Sequence, residues 1–572
     1  MRVGFLETAP TMRHRHVVHY TLLCWAICGA ARFASGESAA LPNIIHILAD
    51  DYGWADVGYH REAVRGNATD VQTPNLDALV RAGIELDRFY VYKICSPSRS
   101  SIQSGRNPIH VNVQNTPPEF RNPADPIGGY QGIPINMTGI ATILKRANYK
   151  THLVGKWDVG MATEMHHPRA RGYDSWLGYW HHSNDYWGQT VESCAGFGAV
   201  RDLWKYNETY DGPAVFLQNG KSCSQNNQKP AGETCIFEEE LLANEVVDII
   251  TSHDQRNPLF LFYSMHLVHM PLQIPSDYEE KFSFISDRHR RLNHAMAYFM
   301  DQKVGDIVEA LVKRNMWNNT LFVFHADNGG EIMGAGICGG NNYPLTGGKF
   351  SNWEGGIRVN AFIAGGIIPK DKRGTREDKS YITAWDWYAS YAFLAKQNPQ
   401  DDFARAAKLP PIDSVNVIGY LLGQNSTIPR NYVIIGDTSA IAPNQAGSTL
   451  VGGLIVDNFK ILVGAKSRSW EINQYVITGP EWPNKTSHLV PLLHSKKCTR
   501  DANHGCLFDI RNDPSERNNL AASKPDIFYK MLAQMDSFQR RVYSPDRGSR
   551  DPQACTDVKT KYHGYWGPFV DI

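Results

Sequence analysis

The sequence predicts an α/β protein: a mostly parallel sheet flanked by helices, followed by a smaller domain with an antiparallel sheet. Two observations lead to this prediction. Apolar runs rich in β-branched residues alternate with longer segments of helical periodicity through most of the chain, a pattern typical of parallel sheets. After about Arg430 the pattern changes to short strands placed close together, which favours antiparallel pairing.

The first 40 residues have the pattern of a secretory signal peptide. Arg2, Arg13 and Arg15 precede an apolar run that begins at Val17, and small residues follow it. A basic region, an apolar region and a small-residue zone in this order are typical of a cleaved signal. The run is short for a bilayer span, so we expect no stable membrane span. An uncleaved signal anchor is the alternative.

The strands of the main sheet are predicted from short apolar runs. Asn43 to Ala49 is a continuous run between Pro42 and Asp50, as expected for a strand buried on both faces. Similar runs are YKTHLVG, NPLFLFYSMH, NTLFVFHAD and IRVNAFIAG. Between them, EEELLANEVVDIITSH and HAMAYFMDQKVGDIVEALVKRN have apolar residues at helical spacing. Strands and helices in alternation predict a parallel sheet with helices on both faces.

The C-terminal part is predicted to be a separate small α+β domain. NYVIIGD, GGLIVD and KILVG are short strands close together, and the tail after them is expected to pack back over the body. The predicted division is residues 1–40 as signal peptide, 41–430 as the main N-terminal domain and 431–572 as the C-terminal domain.

Charge and cysteine content narrow the class of protein. Lys+Arg and Asp+Glu are both 58, so the formal net charge is zero, which disfavours a general nucleic-acid binder. Two groups of cysteines are close in sequence: Cys194, Cys223 and Cys235, and Cys498 with Cys506. Short-range disulfides formed in an oxidising compartment would explain them. Cys338 and Cys555 could pair across the chain, although the sequence does not decide connectivity, and Cys95 is then unpaired.

Sequons agree with passage through the secretory pathway. The pattern N-x-S/T occurs at six candidate glycosylation positions: Asn67, Asn136, Asn207, Asn318, Asn425 and Asn484. Each match is weak evidence by itself.

Polar residues follow four of the predicted strands. They are Asp50 and Asp51, Lys156, His269, and Asp327 with Asn328. Each has an ordinary structural explanation, such as a helix cap or a turn, but parallel strands bring their carboxyl ends to one edge of the sheet. Three carboxylates and an amide oxygen suit a hard cation such as calcium or magnesium. Lys156, His269 and Lys349 suit an anionic ester. Together they predict sulfuryl or phosphoryl transfer.

The candidate nucleophile lies in the segment KICSPSRSSIQSGR. Cys95, Pro97 and Arg99 form C-x-P-S-R, which Gly105 and Arg106 continue. This resembles the signature of the sulfatase family, in which the cysteine is oxidised to formylglycine during synthesis. The resemblance extends from LADDYGWADVGYH to the final GYWGPFVDI, and it looks closest to the arylsulfatase B group.

The resemblance implies an alkaline-phosphatase-like fold and hydrolysis of a sulfated sugar, with N-acetylgalactosamine sulfate of glycosaminoglycans as the expected substrate. It implies a calcium site made by Asp50, Asp51, Cys95 as formylglycine, Asp327 and Asn328. It implies that Arg99 steadies the aldehyde hydrate. It implies a sulfate site made by Lys156, His269 and Lys349. It also implies a formylglycine-generating enzyme as partner during synthesis, and a lysosomal or secreted protein.

One residue departs from the family pattern. The second signature usually ends G-K-W-H, whereas this chain has GKWDVG, so Asp158 stands where a histidine normally serves the aldehyde hydrate. Aspartate is a weaker base. His152, His166 or His167 are candidates to fill the gap. Asn148 is a smaller departure, since the signature usually has glycine there.

Three hypotheses follow. The first is an active sulfatase, with Asp158 among its catalytic residues. The second is a catalytically impaired relative that binds sulfated glycans, with Asp158 as the mark of lost turnover. The third is a phosphatase or phosphodiesterase, which needs a Ser or Thr nucleophile and usually two metals, and which Cys95 in its motif disfavours.

Overall fold

A ten-stranded mixed sheet forms the centre of the fold. The computed structural model describes residues 40–65, 69–194, 197–215, 235–332, 338–436, 452–464, 475–484 and 498–572. In chain order the strands are β1 (Asn43–Ala49), β2 (Ile84–Leu86), β3 (Phe89–Tyr90), β4 (Phe120–Arg121), β5 (Lys150–Lys156), β6 (Ser175–Tyr179), β7 (Thr190–Cys194), β8 (Gly198–Arg201), β9 (Trp204–Tyr206), β10 (Asp211–Pro213), β11 (Leu259–Ser264), β12 (Thr320–Ala326), β13 (Ala361–Ala364), β14 (Thr375–Glu377), β15 (Ile382–Thr383), β16 (Tyr432–Gly436), β17 (Gly452–Val456), β18 (Phe459–Val463), β19 (Cys506–Asp509) and β20 (Ser549–Arg550).

Helices pack against this sheet and against the strands of the C-terminal part. They are α1 (Gly58–Arg65), α2 (Pro74–Arg81), α3 (Cys95–Ser104), α4 (Pro108–Val111), α5 (Ile140–Lys145), α6 (Glu238–Ser252), α7 (Ser276–Lys281), α8 (Arg288–Lys313), α9 (Glu354–Ile357), α10 (Asp386–Leu394), α11 (Asp402–Ala406), α12 (Ile418–Leu421), α13 (Pro525–Gln539) and α14 (Pro552–Thr560). Helices α2, α6 and α7 contact α8, whereas α3 and α5 contact α10. No described helix is long and apolar enough to span a bilayer.

The middle of the sheet is parallel, as predicted. Its order is β10-β9-β6-β5-β11-β1-β12-β13-β2-β14, and the five neighbours from β6 to β12 all run in the same direction. Strand β1 has a parallel partner on each side, with Ile47 opposite Tyr263 and Phe324. All seven of its residues are buried, which explains its continuous apolar run. The predicted strand IRVNAFIAG contains β13, which pairs antiparallel with β12.

The short C-terminal strands form a four-stranded antiparallel sheet, β16-β17-β18-β19. Buried residues of this sheet pack with residues of α13. Lys460 of β18 is buried and contacts Glu354 of α9 at 2.9 Å and Glu516 at 2.8 Å. The pair with Glu354 ties the sheet to the main body. The boundary between residues 430 and 431 stays a prediction.

The disulfides differ in part from those expected. Cys498 pairs with Cys506, as the short spacing predicts. Cys194 pairs with Cys555 across 361 residues, so the expected short-range disulfide of Cys194 is wrong, and so is the pairing of Cys338 with Cys555. Sequence spacing does not reveal this link, because folding brings the tail back to the body, with bridges at Thr163–Val570 and Arg201–Tyr565. Within the described part of the chain, Cys95 and Cys338 are the free cysteines.

The sequons differ in exposure. Asn318, Asn425 and Asn484 are exposed, whereas Asn136 and Asn207 are partly buried. Asn67 and Cys223 lie outside the described residues.

We expect the tail disulfide to stabilise the fold strongly. Replacing Cys194 and Cys555 by alanine should lower the free energy of unfolding by about 2–5 kcal/mol, because the bond restricts the unfolded chain. Urea unfolding followed by circular dichroism measures the change. The matched control is the double alanine variant of Cys498 and Cys506, whose bond spans 8 residues and should matter less. Equal losses in both variants would contradict this account.

Candidate active site

The predicted polar residues meet at the carboxyl edge of the parallel strands. Asp50 and Asp51 follow β1, Lys156 ends β5, His269 lies in the loop after β11, and Asp327 and Asn328 follow β12. All six side chains are buried. The structure therefore brings together the residues that the sequence placed after four separate strands.

Cys95 joins this edge from the first position of α3. All ten residues of that helix are buried, and Cys95 is 1% exposed. Its Sγ lies 3.8 Å from Oδ1 of Asp50. Burial raises the pKa of the thiol well above its ordinary value. A helix N-terminus also places positive partial charge beside residue 95.

Arg99 holds two of the carboxylates in place. It lies one helical turn after Cys95 and therefore on the same face of α3. Its Nε donates to Oδ2 of Asp327 at 2.9 Å, and Nη2 lies 2.8 Å from the same oxygen. Nη2 is 3.3 Å from Oδ2 of Asp50, and Nη1 donates to the Ser264 hydroxyl. The guanidinium thus links the ends of β1, β11 and β12.

Two lysines bring positive charge to the same edge. Lys156 Nζ lies 2.7 Å from Oδ2 of Asp50, and Lys349 Nζ lies 2.7 Å from Oδ2 of Asp51. Burial would raise the pKa of Asp50, but Lys156 and Arg99 hold it below the ordinary value. Lys349 reaches the site from a loop that two backbone hydrogen bonds hold in place. The Lys349 N–H donates to the Gly330 carbonyl, and the Phe350 N–H donates to the Lys93 carbonyl.

His269 is held in one tautomer. Its Nδ1 lies 2.6 Å from the carbonyl of Met270, so Nδ1 carries the proton and Nε2 accepts from Lys349 Nζ at 2.9 Å. Burial and the Lys349 charge lower the pKa of His269 to about 4. The imidazole is therefore neutral near pH 7.

The donor set fits a hard cation. Ligand atoms of Asp50, Asp51, Cys95 and His269 lie within 4.8 Å of one another. Asn328 donates through Nδ2 to Asp51 at 2.7 Å, and its buried Oδ1 has no hydrogen-bond partner. Burial and repulsion from Asp50 raise the pKa of Asp327. A calcium ion bound here would offset the repulsion between the carboxylates and would take the free amide oxygen as a ligand.

Asp158 has a partner that the sequence prediction missed. Its Oδ1 accepts from Ser96 Oγ at 2.6 Å and from His182 Nδ1 at 2.7 Å, and its Oδ2 lies 3.7 Å from Lys156. Burial would raise the pKa of Asp158, but His182 and Lys156 hold it well below the ordinary value.

The three histidines proposed from the sequence to replace the missing one form contacts away from Asp158. His152 contacts Ser175, His166 contacts Thr163, and His167 contacts Asp211. The histidine at Asp158 is instead His182, three residues after β6 ends at Tyr179. The signal was present in the sequence, because the run SWLGYWHHS places polar residues after a strand in the same way as the other four. The run SWLGY, which forms β6, has no clear alternation and therefore does not by itself predict a strand.

Known proteins resemble the chain over most of its length. A protein-family model described as Sulfatase matches residues 42–396. Arylsulfatase J of Mus musculus is 29% identical over 545 residues, which cover 94% of this chain and 81% of that protein. N-acetylgalactosamine-6-sulfatase of Homo sapiens is 29% identical over 383 residues, which cover 67% and 66%. The crystal structure of Ps i-CgsB in complex with k-i-k-neocarrahexaose has a TM-score of 0.64 at 24% identity, covering 91% and 97%, and shows the same fold.

We expect Arg99 to be essential for stability. Arg99→Ala leaves Asp50 and Asp327 without their shared guanidinium and should cost about 3–5 kcal/mol, as for other broken buried ion pairs. Denaturant unfolding in the presence of a chelator measures the loss. Arg405→Ala is the control, because Arg405 is an exposed partner of Asp402 and should change stability by less than about 1 kcal/mol. An unchanged stability of Arg99→Ala would contradict the charge assignment.

Proposed function

The chain belongs to the sulfatase family and is a sulfuric ester hydrolase, and from this premise we propose that it removes sulfate from a sulfated sugar with a formylglycine made from Cys95 and one calcium ion. The observation that carries the proposal is the position of Cys95. It lies at a helix N-terminus, beside Asp50, at an edge that holds two buried lysines.

Formylglycine and calcium, when bound in this site, supply a hydrated aldehyde as nucleophile and positive charge beside the sulfate oxygens. Asp50, Asp51, Asp327 and Asn328 are the residues that would hold the calcium. Lys156 and Lys349 offer ammonium groups to an anionic ester in a buried site, where electrostatic attraction is stronger than in water. His269 presents Nε2 beside Lys349. Arg99 holds the carboxylates of Asp50 and Asp327 in place.

The proposed substrate is an N-acetylgalactosamine sulfate of a glycosaminoglycan. The relative named N-acetylgalactosamine-6-sulfatase supports this choice, as does the concentration of cationic side chains at one edge. The proposal includes a formylglycine-generating enzyme as partner in the secretory pathway, with the mature protein lysosomal or secreted. Disulfides within the fold fit an oxidising compartment.

The second candidate function is binding of sulfated glycans with little or no turnover. Asp158 favours it, because a carboxylate lies where the family signature has an imidazole, 3.7 Å from Lys156. The two candidates differ in one measurable result, the release of sulfate by protein that carries formylglycine.

We expect Cys95 to be modified and required for hydrolysis. In protein from secretory cells, the Cys95 peptide should be lighter by about 18 Da than the cysteine form. Such protein should release sulfate from N-acetylgalactosamine sulfates and aryl sulfates. Cys95→Ala should reduce the rate to background, whereas Cys338→Ala, which removes the other described free cysteine, should keep it. Full modification without sulfate release, together with glycan binding, would favour the second candidate. An unmodified Cys95 would exclude the formylglycine mechanism.

We expect calcium to stabilise the fold by mass action. At a free concentration about 100 times the dissociation constant, a ligand adds about 2.7 kcal/mol. Chelation should therefore lower the melting temperature, and added calcium should restore it. Asp51→Asn should weaken the response, whereas Asp402→Asn, at an exposed position, should not. A melting temperature that changes neither with chelator nor with added calcium would contradict the metal assignment.

A further inference from the structure

A buried cluster of carboxylate, imidazole and hydroxyl lies next to Cys95. Oδ1 of Asp158 is 2.6 Å from Ser96 Oγ and 2.7 Å from His182 Nδ1. Ser96 Oγ and His182 Nδ1 are themselves 3.2 Å apart. Because Ser96 follows Cys95 directly, the cluster connects the imidazole of His182 to the first turn of α3.

The contacts decide which ring nitrogen of His182 is free. Asp158 is ionised and therefore only accepts hydrogen bonds, so Nδ1 must carry the proton that it receives. In the neutral ring the lone pair is then on Nε2. That nitrogen is buried and has no hydrogen-bond partner among the described residues. Leaving a buried polar atom unsatisfied is unfavourable, which favours a role that uses it.

The neighbouring histidine shows what a structural role looks like. His181 uses both ring nitrogens, with Nδ1 2.8 Å from Asp202 and Nε2 3.2 Å from Glu119. Despite burial, Asp202 and Glu119 raise the pKa of His181 to about 10, so it stays charged. The His182 side chain is 22% exposed and has only one nitrogen in use. Its ring is therefore oriented through Nδ1 and only partly enclosed.

The backbone supports the same conclusion. Asp158 has a φ of +53°, a left-handed conformation that is uncommon for residues other than glycine. Such conformations are unfavourable and are found most often at functional sites. Here the turn after β5 directs the carboxylate at His182 and Ser96.

We infer that His182 is the proton acceptor of the active site and that Asp158 is its positioning residue. The inference rests on the proposed function, because the proton comes from a hydroxyl group at residue 95. That O–H bond breaks, an N–H bond forms on Nε2, and the imidazolium then returns the proton to water. A carboxylate that fixes one imidazole nitrogen and leaves the other as base is an arrangement used widely in hydrolases. In this arrangement Asp158 orients the base, and the base itself, His182, lies in the segment that follows β6.

The groups around His182 include one charged side chain in direct contact, Asp158. Asp158 lies at 2.7 Å, and Lys156 lies behind it. Ser96 is the contact from α3. On the chain segment of His182 itself, His181 faces away, toward Asp202 and Glu119. A pH effect assigned to His182 must therefore disappear when His182 is replaced.

The first test measures turnover of an aryl sulfate. His182→Ala and His182→Gln should lower kcat by about 10²–10⁴, with formylglycine content unchanged by mass spectrometry. Both should also change the pH profile of kcat, which the loss of a merely structural residue would leave unchanged. Asp158→Asn should also lower kcat, because it leaves the wrong tautomer. His504→Ala is the matched control, since His504 pairs with Asp501 on the surface, and it should behave as wild type.

The second test does not depend on turnover. Calorimetry of inorganic sulfate binding to a Cys95→Ala protein at pH 7.5 and 5.5 measures how the affinity changes with proton uptake in the site. Adding His182→Gln should remove most of that change, and adding His504→Ala should not. Melting temperatures close to that of the parent protein show that the variants are folded.

The outcomes separate the two proposals. If wild type turns over and His182→Ala keeps its kcat, its pH profile and its pH-dependent sulfate binding, the inference is overturned and the proposed function stands. If wild type with full formylglycine releases no sulfate, the proposed function fails and the inference falls with it.

Discussion

Charge balance at one edge of the sheet is the constraint on which the rest of the structure depends. Four buried carboxylates meet there, Asp50, Asp51, Asp158 and Asp327, with three buried cations, Arg99, Lys156 and Lys349. Uncompensated charges are costly in a protein interior, so each carboxylate has a cation within 4 Å. The remaining excess of one negative charge favours a bound cation. The parallel strands, the buried helix α3 and the loop of Lys349 all serve to hold this arrangement.

Sequence patterns predicted the parts of the molecule where a single local rule operates. Strand β1 has the predicted bounds because a continuous apolar run is possible only where both faces are covered. Residues after β1, β5, β11 and β12 could be assigned to one site because parallel strands share an edge. His182 was missed because SWLGY combines small and aromatic residues without clear alternation. The Cys194–Cys555 pairing and the antiparallel direction of β13 depend on tertiary contacts that no local pattern encodes.

The two consecutive histidines after β6 show how one chain segment serves two purposes. Successive residues of extended chain point to opposite sides. His181 faces Asp202 and Glu119 and packs against the ring of Trp566 from the tail. His182 faces Asp158 and Ser96. The same segment thus anchors the C-terminal tail on one side and contributes an imidazole to the site on the other.

The burial of Cys95 has a consequence for the order of events during biosynthesis. Under the proposed function a second enzyme modifies Cys95 and must bind the surrounding segment, yet every residue of α3 is buried in the folded protein. The proposed modification would then have to precede folding around α3, while the segment is still extended. The segment with Cys555 and Trp566, which contacts the body through Cys194 and His181, is synthesised long after α3. A growing chain would therefore pass through an interval in which residue 95 is accessible, and packing of this segment onto the body would end that interval.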